Sequence, residues 1–267
     1  MTRSYVHGYD PQENDRLQDQ ASTLVDLLHY DTSYPAGSKV LEAGCGVGAQ
    51  TISLARNSPN AHITSIDISA DSVIAAEKMI REAGYANVGF QQGDIFDLSF
   101  PDNHFDHLFL CFVLEHLPHP GEALACLRRV LRPGGTITVI EGDHGSTFFY
   151  PDSDDAQRAI LCQVELQKRA GGNANIGREL YPILTSAGFL STRVSPRMVY
   201  VDPSRPHLVE GFTKRTFTAM IEGIREPALA AGIIDPETFD KGIMDLYRTT
   251  EGGVFCYTFF KAVAEKA

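Results

Sequence analysis

The run Glu42-Ala43-Gly44-Cys45-Gly46-Val47-Gly48 constrains this chain more than any other stretch. The extended, apolar segment Lys39 to Ala43 leads into it, and a helical pattern through Ala55 follows. Strand, glycine turn and helix in that order form one half of a βαβ unit. Glycine permits positive φ and lets a ligand approach bare backbone. The free N–H groups at the start of the following helix favour negative charge. The rest of the chain keeps the same alternation. Strands are predicted at Ala61–Ile66, Val88–Gln91, Phe105–Cys111 and Thr136–Ile140. Helices are predicted at Ala70–Ala83, stopped by Gly84, and at Glu122–Leu131, stopped by Arg132-Pro133-Gly134-Gly135. Such alternation builds a parallel sheet with crossover helices. Phe105–Cys111 is nearly all apolar and is expected at its centre.

The flanks read differently. Leu17, Ala21, Leu24, Val25 and Leu28 space out one face of an amphipathic helix ending near Tyr30. Asp155–Ala170 and Gly177–Ala187 read as helices, and Arg193–Val201 as a strand whose Pro196 requires an edge or a bulge. Pro203–Asp240 is mostly helical, and Val254–Val263 is a final strand. The expected organisation is an N-terminal helical cap over 1–37, a core over 38–201 and 251–267, and a helical insertion over 202–250. That insertion is placed to act as a lid or a dimer contact.

Composition narrows the partners. The chain of 267 residues carries a formal net charge of −11 and no long Lys/Arg run, which argues against nucleic acid. Cys45, Cys111, Cys126, Cys162 and Cys256 are scattered without CxxC spacing, so neither a metal site nor a disulfide framework is expected. Met1 to Asp15 is polar, and no apolar run is long enough to span a bilayer. A cytoplasmic protein with no membrane partner is the expectation, as a monomer or homodimer.

Asp67 closes the second strand, where a carboxylate can accept hydrogen bonds from ribose hydroxyls. The glycine pattern is GxGxG, whereas dinucleotide sites prefer GxGxxG, and no P-loop GKS or GKT is present. Glu42 just before the turn would discourage a diphosphate and suit a cation. S-adenosylmethionine, with its ammonium and sulfonium, matches that sign.

In order along the chain, Glu42–Gly48, Asp67, Gly93-Asp94-Ile95 and Leu131-Arg132-Pro133-Gly134-Gly135 resemble the motifs of class I methyltransferases. The stretch Phe112-Val113-Leu114-Glu115-His116-Leu117 is similar to the ubiquinone/menaquinone-biosynthesis group within that class. The resemblance covers roughly 38–142. It implies a Rossmann-like α/β fold: a seven-stranded, mostly parallel sheet with helices on both faces. It also implies S-adenosylmethionine as cofactor and roles position by position. Gly44, Cys45 and Gly46 would pass beneath the methionine part. Asp67 would hold the ribose, with Ile68 against the adenine. Asp94 would accept from the adenine amino group and Ile95 would cover the other face. Cys111, Phe112 and His116 would border the amino acid end.

Methyl transfer needs alignment more than acid–base power, so few catalytic residues are expected. Asp143 and His144, beyond the fifth strand, are the candidates for a general base and its partner. Tyr9 and Arg16 are candidates to close over the cofactor. Tyr5, Phe149, Tyr150 and Tyr200, with Phe212, are candidates to line an apolar pocket for a small-molecule methyl acceptor. The acceptor atom (oxygen, nitrogen, carbon or sulfur) stays open. The alternatives are a protein or RNA methyltransferase, which would need an open groove, and a non-catalytic cofactor-binding regulator. Fold alone does not decide among them.

Overall fold

In the computed structural model, which describes residues 23–267, seven strands form one sheet in the order β3-β2-β1-β4-β5-β7-β6. β1 (Lys39–Ala43), β2 (His62–Asp67), β3 (Val88–Gln92), β4 (Phe105–Cys111) and the body of β5 (Leu131–Tyr150) run parallel. β7 (Val254–Lys266) inserts antiparallel between β5 and β6 (Phe189–Val201). β1 and β4 sit mid-sheet, and their near-continuous burial follows from being covered on both faces.

One face carries α4 (Pro120–Val130) and α6 (Leu180–Ser186). Leu124, Leu127, Leu180 and Leu184 bury there against Leu108, Leu110 and Val139. The other face carries α1 (residues 23–29), α2 (Thr51–Asn57), α5 (Asp154–Arg169) and the segment between β6 and β7. α3 (Ala70–Glu82) follows β2 and is capped by Ser69, whose hydroxyl accepts from the Ser72 amide.

The segment between β6 and β7 is helical, as its composition implied. α7 (Pro206–Leu208) runs through a π-helical stretch, Val209–Thr218, into α8 (Ala219–Gly223), followed by α9 (Arg225–Ala230). The helical region expected over Pro203–Asp240 runs further, because α10 extends over Pro236–Arg248. Asp235 caps α10 on the Thr238 amide, and Phe239, Ile243 and Leu246 form its buried stripe.

Two other differences have clear causes. β5 is much longer than the expected Thr136–Ile140. Leu131 already pairs with Phe105, and the strand resumes at Phe148–Tyr150 beside Phe255 after an irregularity. Pro196 sits inside β6 without harm because β6 is an edge strand with one free side. Among the described residues, no helix is long and apolar enough to cross a membrane.

The turn after α1 is tied to the far strands by charge. Asp31 takes Arg197 Nη2 of β6 at 2.5 Å on one oxygen and Lys261 Nζ of β7 at 2.6 Å on the other. Both cations are almost fully buried. Arg197 also lies over the Tyr30 ring at 4.4 Å.

Candidate active site

The β1–α2 turn is fastened to β2 before any ligand is considered: the amides of Gly44 and Cys45 both donate to the Ile66 carbonyl, at 2.8 and 2.9 Å. Gly44 has φ +81°, and a Cβ there would stand 2.6 Å from Val113 Cγ2. Gly46 has φ +51° and open space where a Cβ would point. The first glycine is therefore required by packing. The second leaves bare backbone facing a gap that a ligand can fill.

Asp67 stands at the rim of that gap. Its Oδ2 accepts from the Gly46 amide at 2.9 Å and its Oδ1 from the Ser69 amide at 2.9 Å. Each oxygen keeps a further acceptor site for a hydroxyl. Ile68, the next residue, is 47% exposed, an apolar surface beside a carboxylate at the end of a strand. Asp94 lies in the turn after β3 and accepts from the Phe96 amide at 2.9 Å. The resemblance assigns these three to a ribose and an adenine, and they stand at the ends of β2 and β3.

Glu42 departs from expectation. It is not an open carboxylate awaiting a cation. It is buried, and one oxygen takes both Thr51 Oγ1 at 2.7 Å and Ser65 Oγ at 2.6 Å. Burial pushes its pKa up to about 7, against the pull of those two hydrogen bonds. Ile95 is likewise turned into the core with Leu98 and Phe105. Cys45 is buried, and burial holds its thiol protonated.

The loop after β4 forms the next wall. Phe112 adopts φ +58°, a left-handed conformation that a bulky residue seldom takes, with its amide donating to Ile140 O at 2.9 Å. The loop hangs on Glu141: the amides of Val113 and Leu114 donate to Glu141 Oε1 at 3.0 and 2.8 Å. Glu141 is fully buried, and desolvation together with the Glu115 charge drives its pKa well above the carboxylate range. Cys111 is buried, and its thiol stays protonated for the same reason. His116 Nε2 lies 3.4 Å from Glu115 Oε1.

Asp143 and His144 are not joined. Successive strand residues point to opposite faces, and the two side chains follow that rule. Asp143 turns to Arg178, which grips it with Nε at 2.8 Å and Nη2 at 2.6 Å. His144 turns to the insertion face, where its Nδ1 meets the Ala174 carbonyl at 3.1 Å and the Tyr257 hydroxyl at 3.2 Å. The Ala174 carbonyl only accepts and so suits a protonated Nδ1 with Nε2 as the basic nitrogen, while the Tyr257 hydroxyl can either accept from Nδ1 or donate to it.

Aromatic rings surround His144. Tyr257 stands edge-on at 5.5 Å and Phe217 of the π-helical stretch lies 6.0 Å away. Phe212 and Phe259 continue the layer at 6.0 and 4.7 Å from Tyr257, and Phe112 joins at 5.4 Å from Phe259. The expected lining is only partly here. Phe212 belongs to it. Phe149 stacks instead on Phe255, and Tyr150 and Tyr200 face outward at 65% and 37% exposed, farther along their strands. Tyr5, Tyr9 and Arg16 lie outside the described residues. Tyr257 and Phe217 were missed, although Phe255, Tyr257 and Phe259 recur at every second position of a strand and so share a face. Arg178 and Ala174 carried no usable signal, because both act through loop geometry.

Comparison with known proteins places these residues in a family. Residues 35–188 match the model described as a methyltransferase domain. A probable methyltransferase, ltbC, of Aspergillus luteorubrus is 32% identical over 59% of this chain and 58% of its own length. The ubiquinone/menaquinone biosynthesis C-methyltransferase UbiE of Pseudomonas paraeruginosa is 33% identical over 48% of this chain and 51% of its own. A Haemonchus contortus phosphoethanolamine N-methyltransferase 2, solved in complex with S-adenosyl-L-methionine, superposes with a TM-score of 0.55 at 14% identity, covering 93% of this chain and 52% of that one. The chain spans about half the length of the curated relatives it matches. The strand order, the glycine turn with Asp67 and the match over more than half the residues agree: this chain belongs to the methyltransferase domain family.

Proposed function

We propose that this chain is an S-adenosylmethionine-dependent methyltransferase acting on a small acceptor that has a flat apolar part and carries no phosphate. The observation that carries the cofactor is the conjunction at the β1 and β2 ends. Open backbone at Gly46, the Asp67 carboxylate and the exposed Ile68 fit an adenosine, and no lysine or arginine of the turn offers itself to a pyrophosphate. When bound, S-adenosylmethionine supplies an electrophilic methyl group, and the protein contributes alignment and electrostatics.

The acceptor class follows from the rings and from the charges beside them. Phe212, Phe217, Tyr257 and Phe259 offer flat apolar contact. Of the charged groups near that layer, Asp143 is gripped by Arg178, Lys261 is held by Asp31, Glu115 lies 3.4 Å from His116, and burial raises the pKa of Glu141. Among the described residues, the cations nearest that layer, Arg178 and Lys261, are both held by carboxylates, which leaves neither placed for a phosphate. Where the acceptor arrives protonated, His144 Nε2 takes the proton while the Ala174 carbonyl holds the ring.

Calorimetric titration of S-adenosylmethionine beside NAD and ATP, with Asp67→Ala as control, tests the cofactor. Mass-spectrometric detection of methyl transfer to hydroxylated aromatics, amines and phosphorylated alcohols tests the acceptor. Tighter binding of NAD would sink the first reading. Turnover confined to phosphorylated acceptors would sink the second.

A further inference from the structure

β5 breaks its ladder at one place. Asp143 pairs with Thr258 and Phe148 with Cys256, so β5 carries more residues over that interval than β7 does. The surplus residues of this bulge are 144–147, and His144 is the first of them. The surplus residues are closely held. Ser146 Oγ donates to Asp143 O at 2.6 Å and accepts from the Thr258 amide at 2.9 Å. Thr147 Oγ1 donates to His144 O at 2.8 Å.

The remaining restraints come from one segment, residues 173–178. Ala174 O accepts the His144 amide at 3.1 Å and lies 3.1 Å from His144 Nδ1, so a single carbonyl fixes both backbone and ring. Asn175 Oδ1 takes the Gly145 amide at 2.8 Å. Arg178 closes the arrangement with its two bonds to Asp143, whose Oδ1 also accepts from the Gly145 amide at 3.1 Å. Arg178 itself is half-exposed, on the face of the sheet opposite His144. Only a planar guanidinium makes this two-point grip, because an ammonium is a single point of charge.

We propose that Arg178 is a positioning residue: through Asp143 it keeps the Ala174 carbonyl opposite His144 Nδ1, and so reserves Nε2 for the acceptor's proton. The catalytic part of this inference rests on the reading of His144 as the base, but the tautomer is testable without it. The experiment uses the full chain labelled with 15N-histidine, free of acceptor. The His144 resonances are assigned by their loss in His144→Gln. In the wild type, neutral His144 is expected as a single tautomer protonated at Nδ1. Arg178→Ala is expected to give a mixture of tautomers while S-adenosylmethionine affinity stays at the wild-type value. Arg178→Lys should restore the single tautomer only in part. If the alanine variant does not fold, Arg178→Gln, of similar length but without the two-point grip, carries the same expectation.

A wild-type His144 protonated at Nε2, or a folded Arg178 variant that keeps the wild-type tautomer, overturns the proposal. With an accepted substrate, Arg178→Ala should lower kcat about tenfold to a hundredfold with KM held. If instead His144→Gln leaves turnover unchanged, the base reading fails, and the tautomer result still decides the positioning role.

Discussion

The Gly46 amide donates to the Asp67 carboxylate across 2.9 Å, so the glycine turn and the end of β2 are locked into one surface. Removing the carboxylate therefore strips two hydroxyl acceptors from the ligand and frees the Gly46 amide. Hydrogen bonds to a charged group contribute about 1.5–3 kcal/mol. Asp67→Ala is expected to weaken S-adenosylmethionine binding by about tenfold to a hundredfold. Thermal stability should change little, since Asp67 is not fully buried. Calorimetry on the variant and the wild type checks both statements.

Glu42 makes stability depend on pH. Its folded pKa of about 7 lies above the ordinary 4.5, so the fold binds its proton more tightly than the unfolded chain does. The contribution is fully present below pH 4.5 and is lost as pH rises through about 7, amounting to about 3 kcal/mol at most. Glu42→Gln keeps an oxygen for Thr51 and Ser65 and has no proton to lose. Its stability relative to wild type should rise between pH 4.5 and 7 and then level off, as read by urea unfolding at each pH. His29 has the opposite sign: burial lowers its pKa to about 4, so its contribution is present above pH 6.5 and is lost as pH falls towards 4.

How much of this was legible depends on the kind of force involved. The sheet, its central strand and the ends of β1 and β2 follow from local periodicity and turn chemistry, which act within a few residues. Gly46, Asp67, Ile68 and Asp94 could be placed at strand ends and turns for that reason. Glu42 was misread because its environment comes from Ser65 on another strand and Thr51 on a helix, and neither is visible in the motif. Asp143 and His144 look like a pair in sequence, but strand alternation separates them, and the Ala174 carbonyl that meets the His144 ring lies thirty residues away. Tyr150 and Tyr200 were misplaced for a related reason. An aromatic residue near a strand end gives no sign of which face or which end of the strand it will occupy.

The Asp31 clamp gives a third prediction. Arg197 and Lys261 have side chains only 6% and 3% exposed, and both rely on one carboxylate. Asp31→Ala leaves two enclosed cations with uncompensated charge. Stripping one partner from a fully enclosed pair costs about 3–5 kcal/mol. Asp31 keeps 40% exposure, so a loss nearer 2–3 kcal/mol is expected. Lys261→Met removes a buried cation and leaves Arg197 to satisfy Asp31, so it should cost less. Denaturant midpoints of the two variants decide the order, and a larger loss in Lys261→Met would mean that the lysine's contacts to Thr32 and Leu28 matter more than the charge balance.

Gly142 connects the backbone to the proposed chemistry. A Cβ at this position would run into the Tyr257 hydroxyl, the same hydroxyl that lies 3.2 Å from His144 Nδ1. Tyr257 is walled in by Phe212, Phe217 and Phe259, so it cannot step aside without moving the aromatic layer. Overpacking of this kind typically costs about 1–3 kcal/mol. Gly142→Ala should therefore lower the unfolding midpoint modestly and disturb His144 and the acceptor wall together. The Gly46–Asp67 surface lies at the ends of other strands and should still bind S-adenosylmethionine at the wild-type affinity. The double variant Gly142→Ala/Tyr257→Phe removes the colliding oxygen and should regain the lost stability. If it also regains methyl transfer, the hydroxyl is dispensable and the packing alone matters. If stability returns without turnover, the Tyr257 hydroxyl contributes to the reaction through His144.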